Sequence, residues 1–430
     1  MAQKLKFGNG TWATKKGSTL AYNDQGGNFK PLPFTTTRNS IATRVNKEGL
    51  IEVVGNDIPR IDYTDSTDGV FLLENSATNF ITYSEDFSDA YWNKFDSSVT
   101  SGFVSPDGST NAFKLIEGNA NTQHGLLRSN FPINVQRTLS VFVKKGENER
   151  FFISDYNKFG YTIGVIFNLT SGTIESNQND SIYLNPKIEP YLNGWYKCSV
   201  TWTNTTGLTV PFFGNAILGT NSYQGDGVSG LYVFGAQFEE ASYSTSYIPT
   251  SGSTVTRQAD TASESGNSEV FNDSEGVLFA DIAALSNGGN SRRISISHPS
   301  YDISNRVTLE LDESANTIKA FMSSGNSTVG GLTVNGINQT QNNKIAIIYK
   351  ANTFEIYING FLLDTDYVVA SLPIGLSRLQ FEGANGSNPF YGNTKQIQYY
   401  NSALNDSDLE KLTSWTSFTE MAQAQQYSII

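Results

Sequence analysis

The sequence predicts an all-β protein with two tandem β-sandwich domains behind an irregular N-terminal segment, and three observations carry that expectation. The first is composition: 27 Phe, 21 Tyr and 38 Gly among 430 residues, with only 16% charged. Aromatic side chains fit a pleated, half-buried surface, and Gly with Asn supplies turns between strands. The second is the recurrence of short alternating runs, such as Leu139-Ser140-Val141-Phe142-Val143 and Leu231-Tyr232-Val233-Phe234, without helical patterns between them. The third is length, which exceeds one sandwich and suits two or three domains able to bury their own cores.

Taken in order, residues 1–74 carry nine basic residues, and short apolar runs alternate with turn signals such as Asn9-Gly10, Gly26-Gly27-Asn28 and Pro31-Leu32-Pro33. One short strand is expected within 49–57. No stretch is long enough for an independent core, so an extended attachment segment ordered by its partners is expected. Residues 75–260 read as the first sandwich, with strands near 138–144, 151–154, 162–169, 194–203 and 230–238. A polar Ser/Thr/Gly stretch at 250–272 reads as a linker. Residues 273–415 read as the second sandwich, with strands near 276–282, 293–297, 306–311, 317–322, 343–350, 353–358 and 376–381. Asn359-Gly360 marks a two-residue hairpin turn. A helix is expected over 405–412, capped by Asn405, with Asp406 and Asp408 suited to the positive end of its dipole. Residues 416–430 are expected to form a tail or an assembly contact.

The net charge of −12 and pI near 4.8 argue against a nucleic-acid partner, which would need a basic face. The single cysteine, Cys198, excludes an internal disulfide; its alternating surroundings make it a small core hydrophobe. No run of 18 apolar residues is available for a membrane helix. The first residues lack the apolar centre of a secretory signal, so synthesis in a cytoplasm without ordinary export is expected.

Chemistry-bearing constellations are sparse. The two histidines, His124 and His298, fall in different expected domains, and no nucleophile elbow, Walker loop or dinucleotide fingerprint is present. Paired carboxylates remain, because glycoside hydrolysis needs only two. Glu239-Glu240 reads as strand-edge charge, and Asp62, Asp65 and Asp68 read as a solvated turn, so no enzyme and no catalytic residues are expected. No cofactor is expected beyond a calcium ion, for which the loops at Asp107-Gly108, Asp226-Gly227 and Asp364-Thr365-Asp366 are the candidates against ordinary turns. Trp92, Tyr156, Tyr161 and Tyr223 lie near expected loops and are the candidate ligand-binding aromatics, with core packing the competing reading of each. Trp195 and Trp202, on an alternating strand, read as core.

Three stretches resemble known families. Phe7-Gly8-Asn9-Gly10-Thr11-Trp12-Ala13 and Ala42-Thr43-Arg44-Val45-Asn46-Lys47-Glu48-Gly49-Leu50-Ile51-Glu52 resemble the N-terminal part of fibre and adhesin proteins of tailed phages, especially those infecting gut Bacteroidetes. Asn79-Phe80-Ile81-Thr82-Tyr83-Ser84-Glu85-Asp86-Phe87, Gly194-Trp195-Tyr196 and Gly235-Ala236-Gln237-Phe238-Glu239 are similar to carbohydrate-binding jelly rolls of phage structural proteins. Residues 344–360 and 390–412 resemble laminin-G or concanavalin-like lectin domains. These resemblances imply a structural head- or tail-fibre subunit on the virion surface, made in the host cytoplasm and joined to capsid or tail proteins through residues 1–74. They imply a homo-oligomer, trimer or dimer, with carbohydrate as a further partner. The alternatives are a receptor-binding adhesin for host or mucosal glycans and, behind it, a polysaccharide depolymerase.

Overall fold

The computed structural model describes residues 3–129, 131–156, 164–299, 303–367, 369 and 371–429. Among them the ordered elements are antiparallel strands, two short 3-10 turns and two short helices. The all-β sandwich expectation holds. The chain forms two compact units, but their boundaries differ from those expected: one comprises residues 1–39, 55–75 and 259–430, the other 40–54 and 76–258.

The first unit pairs a ten-stranded sheet with a five-stranded one. Leu5, Phe7, Phe71, Leu278, Ile345, Ile294, Val307 and Leu379 are among the buried side chains of its core. The strand Gln3–Gly8 lies inside the large sheet, antiparallel to Gly392–Tyr400 on one side and to Tyr22–Asn23 on the other. Leu5 and Phe7 are essentially unexposed, and the Phe7 ring meets Phe34, Phe71 and Phe381. Residues 1–74 are therefore not a detachable segment. Strand Val70–Leu73 pairs with Gly392–Tyr400 as well, while the hairpin Ala42–Val45 and Ile51–Val54 belongs to the other unit. The expected linker at 250–272 is also structural. Val255–Arg257 pairs with Ala77–Asn79, and Thr261–Ser263 pairs with Phe34–Thr37.

Most expected strands lie within a few residues of their predicted bounds, because alternation is local. Trp195–Thr203 and Gly230–Glu239 flank Gln136–Lys144 in one sheet. Part of the strand expected over 162–169 lies outside the described residues; Val165–Asn168 is the described strand. At the hairpin, Asn359 and Gly360 both adopt positive φ, 52° and 91°, as a tight two-residue turn matching strand twist requires. Helix α1, Asp406–Thr413, starts where expected, with Asn405 accepting from the Asp408 N–H at 3.0 Å.

The end of the chain is not a free tail. Helix α2, Phe418–Ala424, is capped by Ser417. The Ala424 carbonyl accepts from Asn342 N at 3.2 Å, and Gln425 exchanges hydrogen bonds with Gln341 and Asn342. Glu420 accepts from Lys344 Nζ at 3.0 Å and from Thr416 N at 2.8 Å.

Two predictions follow from this pairing. Deleting residues 3–8 removes a central strand and the Phe7 ring, whose truncation alone costs about 3–5 kcal/mol. The truncated chain should lose the cooperative urea transition of the first unit; an unchanged midpoint would sink the strand's structural role. The second concerns Glu420. Burial by itself would raise its carboxyl, but the bonds from Thr416 and Lys344 outweigh it and bring the group to about 2, below the ordinary 4.5. A depressed folded value means its contribution is present above the unfolded value and is lost as pH falls towards 2. Amide exchange at Asn342 should accelerate across that window. A carboxylate carbon of Glu420 titrating near 4.5 by NMR would contradict it.

Candidate ligand-binding face

The second unit packs a six-stranded against a seven-stranded sheet, with Leu115, Val141, Phe151, Trp202, Phe213 and Phe238 among the buried residues of its core. The outer face of the six-stranded sheet is covered. Ile51, from the hairpin of residues 42–54, joins Phe142, Trp195, Phe234 and Tyr247, and Thr43 Oγ1 donates to the Tyr247 carbonyl at 2.6 Å.

The opposite outer face, on the seven-stranded sheet, carries a second aromatic layer. In register across it stand Phe95, Gly125, Gly214, Phe152 and Ile166, with Leu127 and Phe212 in the adjacent row. The paired glycines are required by close approach: a Cβ on Gly214 would lie 2.1 Å from the His124 carbonyl oxygen, and one on Gly125 3.0 Å from the Phe212 ring. Phe212 packs edge-on against Phe152 at 4.8 Å and against Tyr156 at 5.5 Å. Phe95 and Tyr156, 5.4 Å apart and both half-buried, are the outermost rings of this layer.

A polar group stands on the same face, one row from Phe152 and three rows from Tyr156. Arg150, in register with Ala216 and Asn168, directs Nε to both carboxylate oxygens of Glu175 at 3.0 and 2.8 Å, and Asn168 Nδ2 donates to the same carboxylate at 3.1 Å. Those bonds from Glu175, with Glu149 behind them, raise the Arg150 guanidinium above its ordinary value against the effect of burial. Gln123, two residues before Gly125 on the same strand, is buried with Nε2 lacking a partner. Beside its register partner Ser222, Asn221 is buried with both amide atoms unpartnered. The paired rings of Phe95 and Tyr156 suit a ligand with an apolar face.

Of the expected aromatics among the described residues, only Tyr156 belongs to this face. Trp92 is a core residue, stacked between Phe87 and Phe213, with Nε1 donating to the Tyr83 carbonyl at 2.9 Å. Tyr223 is also buried; its hydroxyl donates to Glu117 at 2.5 Å. Burial, reinforced by Glu117, pushes that phenol far above its ordinary range. Both rings sit near loops because they anchor them. Tyr161 lies outside the described residues. Phe95, Arg150 and Glu175 were not anticipated: the strand Asn93–Phe95 spans three residues, too few for alternation to show.

The carboxylates also differ from expectation. Glu239 is no strand-edge charge. It is fully buried, accepting from Gln237 Nε2, Thr245 N and Thr245 Oγ1 at 2.7–2.9 Å, and burial raises its carboxyl. Glu240 pairs with Arg137 at 2.8 Å. Asp62 is buried and accepts from Thr64 N within its turn. The calcium candidates are engaged otherwise. Asp107 accepts from Ser105 and Ser109, and Asp226 from Val228 and Ser229. Asp364 and Asp366 accept from the backbone N–H groups of Thr333 and Gly331. Among the described residues no three His, Cys, Asp or Glu side chains gather to hold a metal ion. Cys198, Trp195 and Trp202 are buried as expected, and burial holds the thiol well above its ordinary value.

No protein-family model matches the chain, and no curated protein matches it. Among solved structures, the chain is similar to the CBM40 of the Ruminococcus gnavus IT-sialidase, bound there to α2,3 sialyllactose. The identity is 14%, over 34% of this chain and 84% of that one, with a TM-score of 0.28. It is similar to the NanB sialidase of Streptococcus pneumoniae at 14% identity, over 33% of this chain and 24% of that one, TM-score 0.29. It is also similar to domain 4 of AbnA, a GH43 extracellular arabinanase of Geobacillus stearothermophilus in complex with arabinotriose. That match has 13% identity, over 36% and 73% of the two chains, TM-score 0.29.

The glycine pair provides the structural test. Gly214→Ala should destabilise the second unit by about 1–3 kcal/mol or more through overpacking against backbone, read as a lower urea midpoint. A midpoint equal to wild type would mean that the strands do not approach as described.

Proposed function

We propose that this chain is a non-catalytic surface adhesin, a structural fibre subunit of a phage particle, whose second unit presents a glycan-binding face. The single observation supporting glycan binding is the pair of half-buried rings Phe95 and Tyr156, 5.4 Å apart, at the rim of the outer aromatic layer of the seven-stranded sheet. Sugars offer such rings a C–H surface to pack on. Placement on a virion head or tail, with capsid or tail proteins as partners, rests on the sequence resemblances. Self-association is supported by the edge strand Phe361–Asp366, where Phe361, Leu362 and Leu363 are exposed in succession.

A glycan array probed with the full chain, followed by titration of its best ligand, tests the reading. Replacing Phe95 and Tyr156 together with Ala should weaken that ligand roughly tenfold, since each ring contact contributes about 0.5–1.5 kcal/mol. Binding unaffected by the double substitution, in protein with a wild-type circular dichroism spectrum, would move the adhesive site elsewhere. Immunogold labelling of particles tests the virion assignment, and absence of label from both head and tail would overturn it.

A further inference from the structure

Two tight turns of the first unit are built from the same pair of residues and differ in what holds them. Asn9-Gly10 and Asn359-Gly360 each place both residues at positive φ, 61° and 75° in the first, 52° and 91° in the second. The pair also carries a reaction of its own. The backbone nitrogen after an asparagine lies within ring-closing reach of the side-chain carbonyl carbon, and a following glycine has no Cβ to hinder their approach.

At Asn359 each atom the reaction needs is engaged. Oδ1 accepts from Lys344 N at 3.0 Å, Nδ2 donates to Asn343 Oδ1 at 2.9 Å, and Gly360 N donates to Thr413 Oγ1 at 3.2 Å. The other Asn-Gly pairs are also held. The Asn287 amide bonds to Asn316 at 2.7 and 2.8 Å, and Gly288 N donates to Gln339 Oε1 at 2.9 Å. Asn385 accepts from Ser387, and Gly386 N donates to the Gly383 carbonyl at 2.8 Å. Asn335 Oδ1 accepts from Thr317 Oγ1 at 3.1 Å, and Asn193-Gly194 is wound into the 3-10 turn Leu192–Gly194. Asn9-Gly10 differs from all of these. Both residues are exposed, and among the described residues neither the Asn9 amide nor the Gly10 N–H has a hydrogen-bond partner.

We propose that Asn9 is a self-modification site, converting to aspartate and isoaspartate through a succinimide. Gly10 N gives its proton to water or hydroxide and bonds to Asn9 Cγ; the Cγ–Nδ2 bond breaks, and Nδ2 leaves as ammonia. Water then adds to either ring carbonyl, and the opening gives aspartate or isoaspartate. One water is consumed and one ammonia released, with no oxidation or reduction. The position of the turn gives the change a consequence. Asn9 N donates to the Lys395 carbonyl at 2.7 Å, beside the pairing of Gly8 with Gln396, and the Trp12 ring packs on Phe7 at 5.4 Å. Isoaspartate lengthens the backbone by one carbon between these two anchors. Either product adds a carboxylate to a turn that already lies against Asp68, whose Oδ1 would be 3.5 Å from a Cβ on Gly10.

The test incubates the full chain at neutral and at mildly alkaline pH and follows peptides spanning both turns by mass spectrometry, with isoaspartate detected by isoaspartyl methyltransferase labelling. Asn9 should convert roughly tenfold or more faster than Asn359, whose three bonds must break first. Its conversion should quicken at alkaline pH, because Gly10 N must lose a proton, and should yield isoaspartate as well as aspartate. Asn9→Gly keeps a residue suited to positive φ; the modified species should be absent from that turn, and incubation should lower the urea midpoint of wild type only. Conversion at Asn9 no faster than at Asn359, no response to pH, aspartate without isoaspartate, or an equal fall in midpoint in Asn9→Gly would each overturn the proposal. Should Asn9→Gly fail to fold by circular dichroism, the comparison of Asn9 with Asn359 in the wild-type chain decides.

Discussion

The first unit depends on one buried ion cluster. Arg60, wholly unexposed, reaches Glu74 at 2.6 Å and also Asp260, while Arg38 reaches the other oxygen of Asp260 at 3.1 Å. The Asp260 carboxylate further accepts from the Glu74 backbone N–H at 2.9 Å. Burial works against the Arg60 charge, but Asp260 and Glu74 more than offset it and hold the guanidinium charged. Two guanidiniums face two carboxylates in these contacts, and it is the loss of one member that is expensive, about 3–5 kcal/mol. The cavity beside it, about 10 Å³, has room for a single water and for no ligand. This is architecture rather than chemistry for a substrate.

What makes the cluster decisive is where its members come from. Arg38 belongs to residues 1–39, Arg60 and Glu74 to 55–75, and Asp260 to 259–430, the three stretches that compose the unit. The other unit is inserted between them. Apolar burial alone is non-directional and would tolerate several ways of bringing three separate stretches together. Hydrogen-bonded charges with fixed geometry accept far fewer, because any arrangement that leaves one unpaired is penalised. The same logic explains the N-terminal strand. Its Leu5 and Phe7 complete the core only when Gln3 to Gly8 are in register with Tyr400 to Gln396, a pairing across nearly the whole chain.

That distance also marks what was legible in the sequence. Strands such as Gln136–Lys144 and Asn343–Lys350 could be read because their alternation or apolar run is contained within them, and Asn359-Gly360 because its turn chemistry is local. Residues 3–8 and 418–424 looked unpartnered because their partners lie far away in sequence. The site was less legible still. Trp92 and Tyr223 have the residue types of a sugar platform, but burial decides the matter, and burial depends on what the fold brings over a ring. Phe95 and Tyr156 meet only because the Gly125–Gly214 approach lets Phe212 pack against both rings. No pattern in either short segment announces it.

The edges of the two sheets in the first unit show how side chains convert such placement into control of association. A free edge strand offers unpaired N–H groups to any other strand. On the five-stranded sheet that edge is Ser327–Asn335, and the carboxylates of Asp364 and Asp366 occupy the N–H groups of Thr333 and Gly331. The strand supplying those carboxylates, Phe361–Asp366, is itself the edge of the ten-stranded sheet and exposes Phe361, Leu362 and Leu363. One strand therefore closes a neighbouring edge with its acidic half and leaves its apolar half open. Random pairing at the first edge is blocked by charge, whereas contact at the second is favoured by exposed apolar area. The two edges therefore differ in chemistry, one capped by carboxylates and the other apolar.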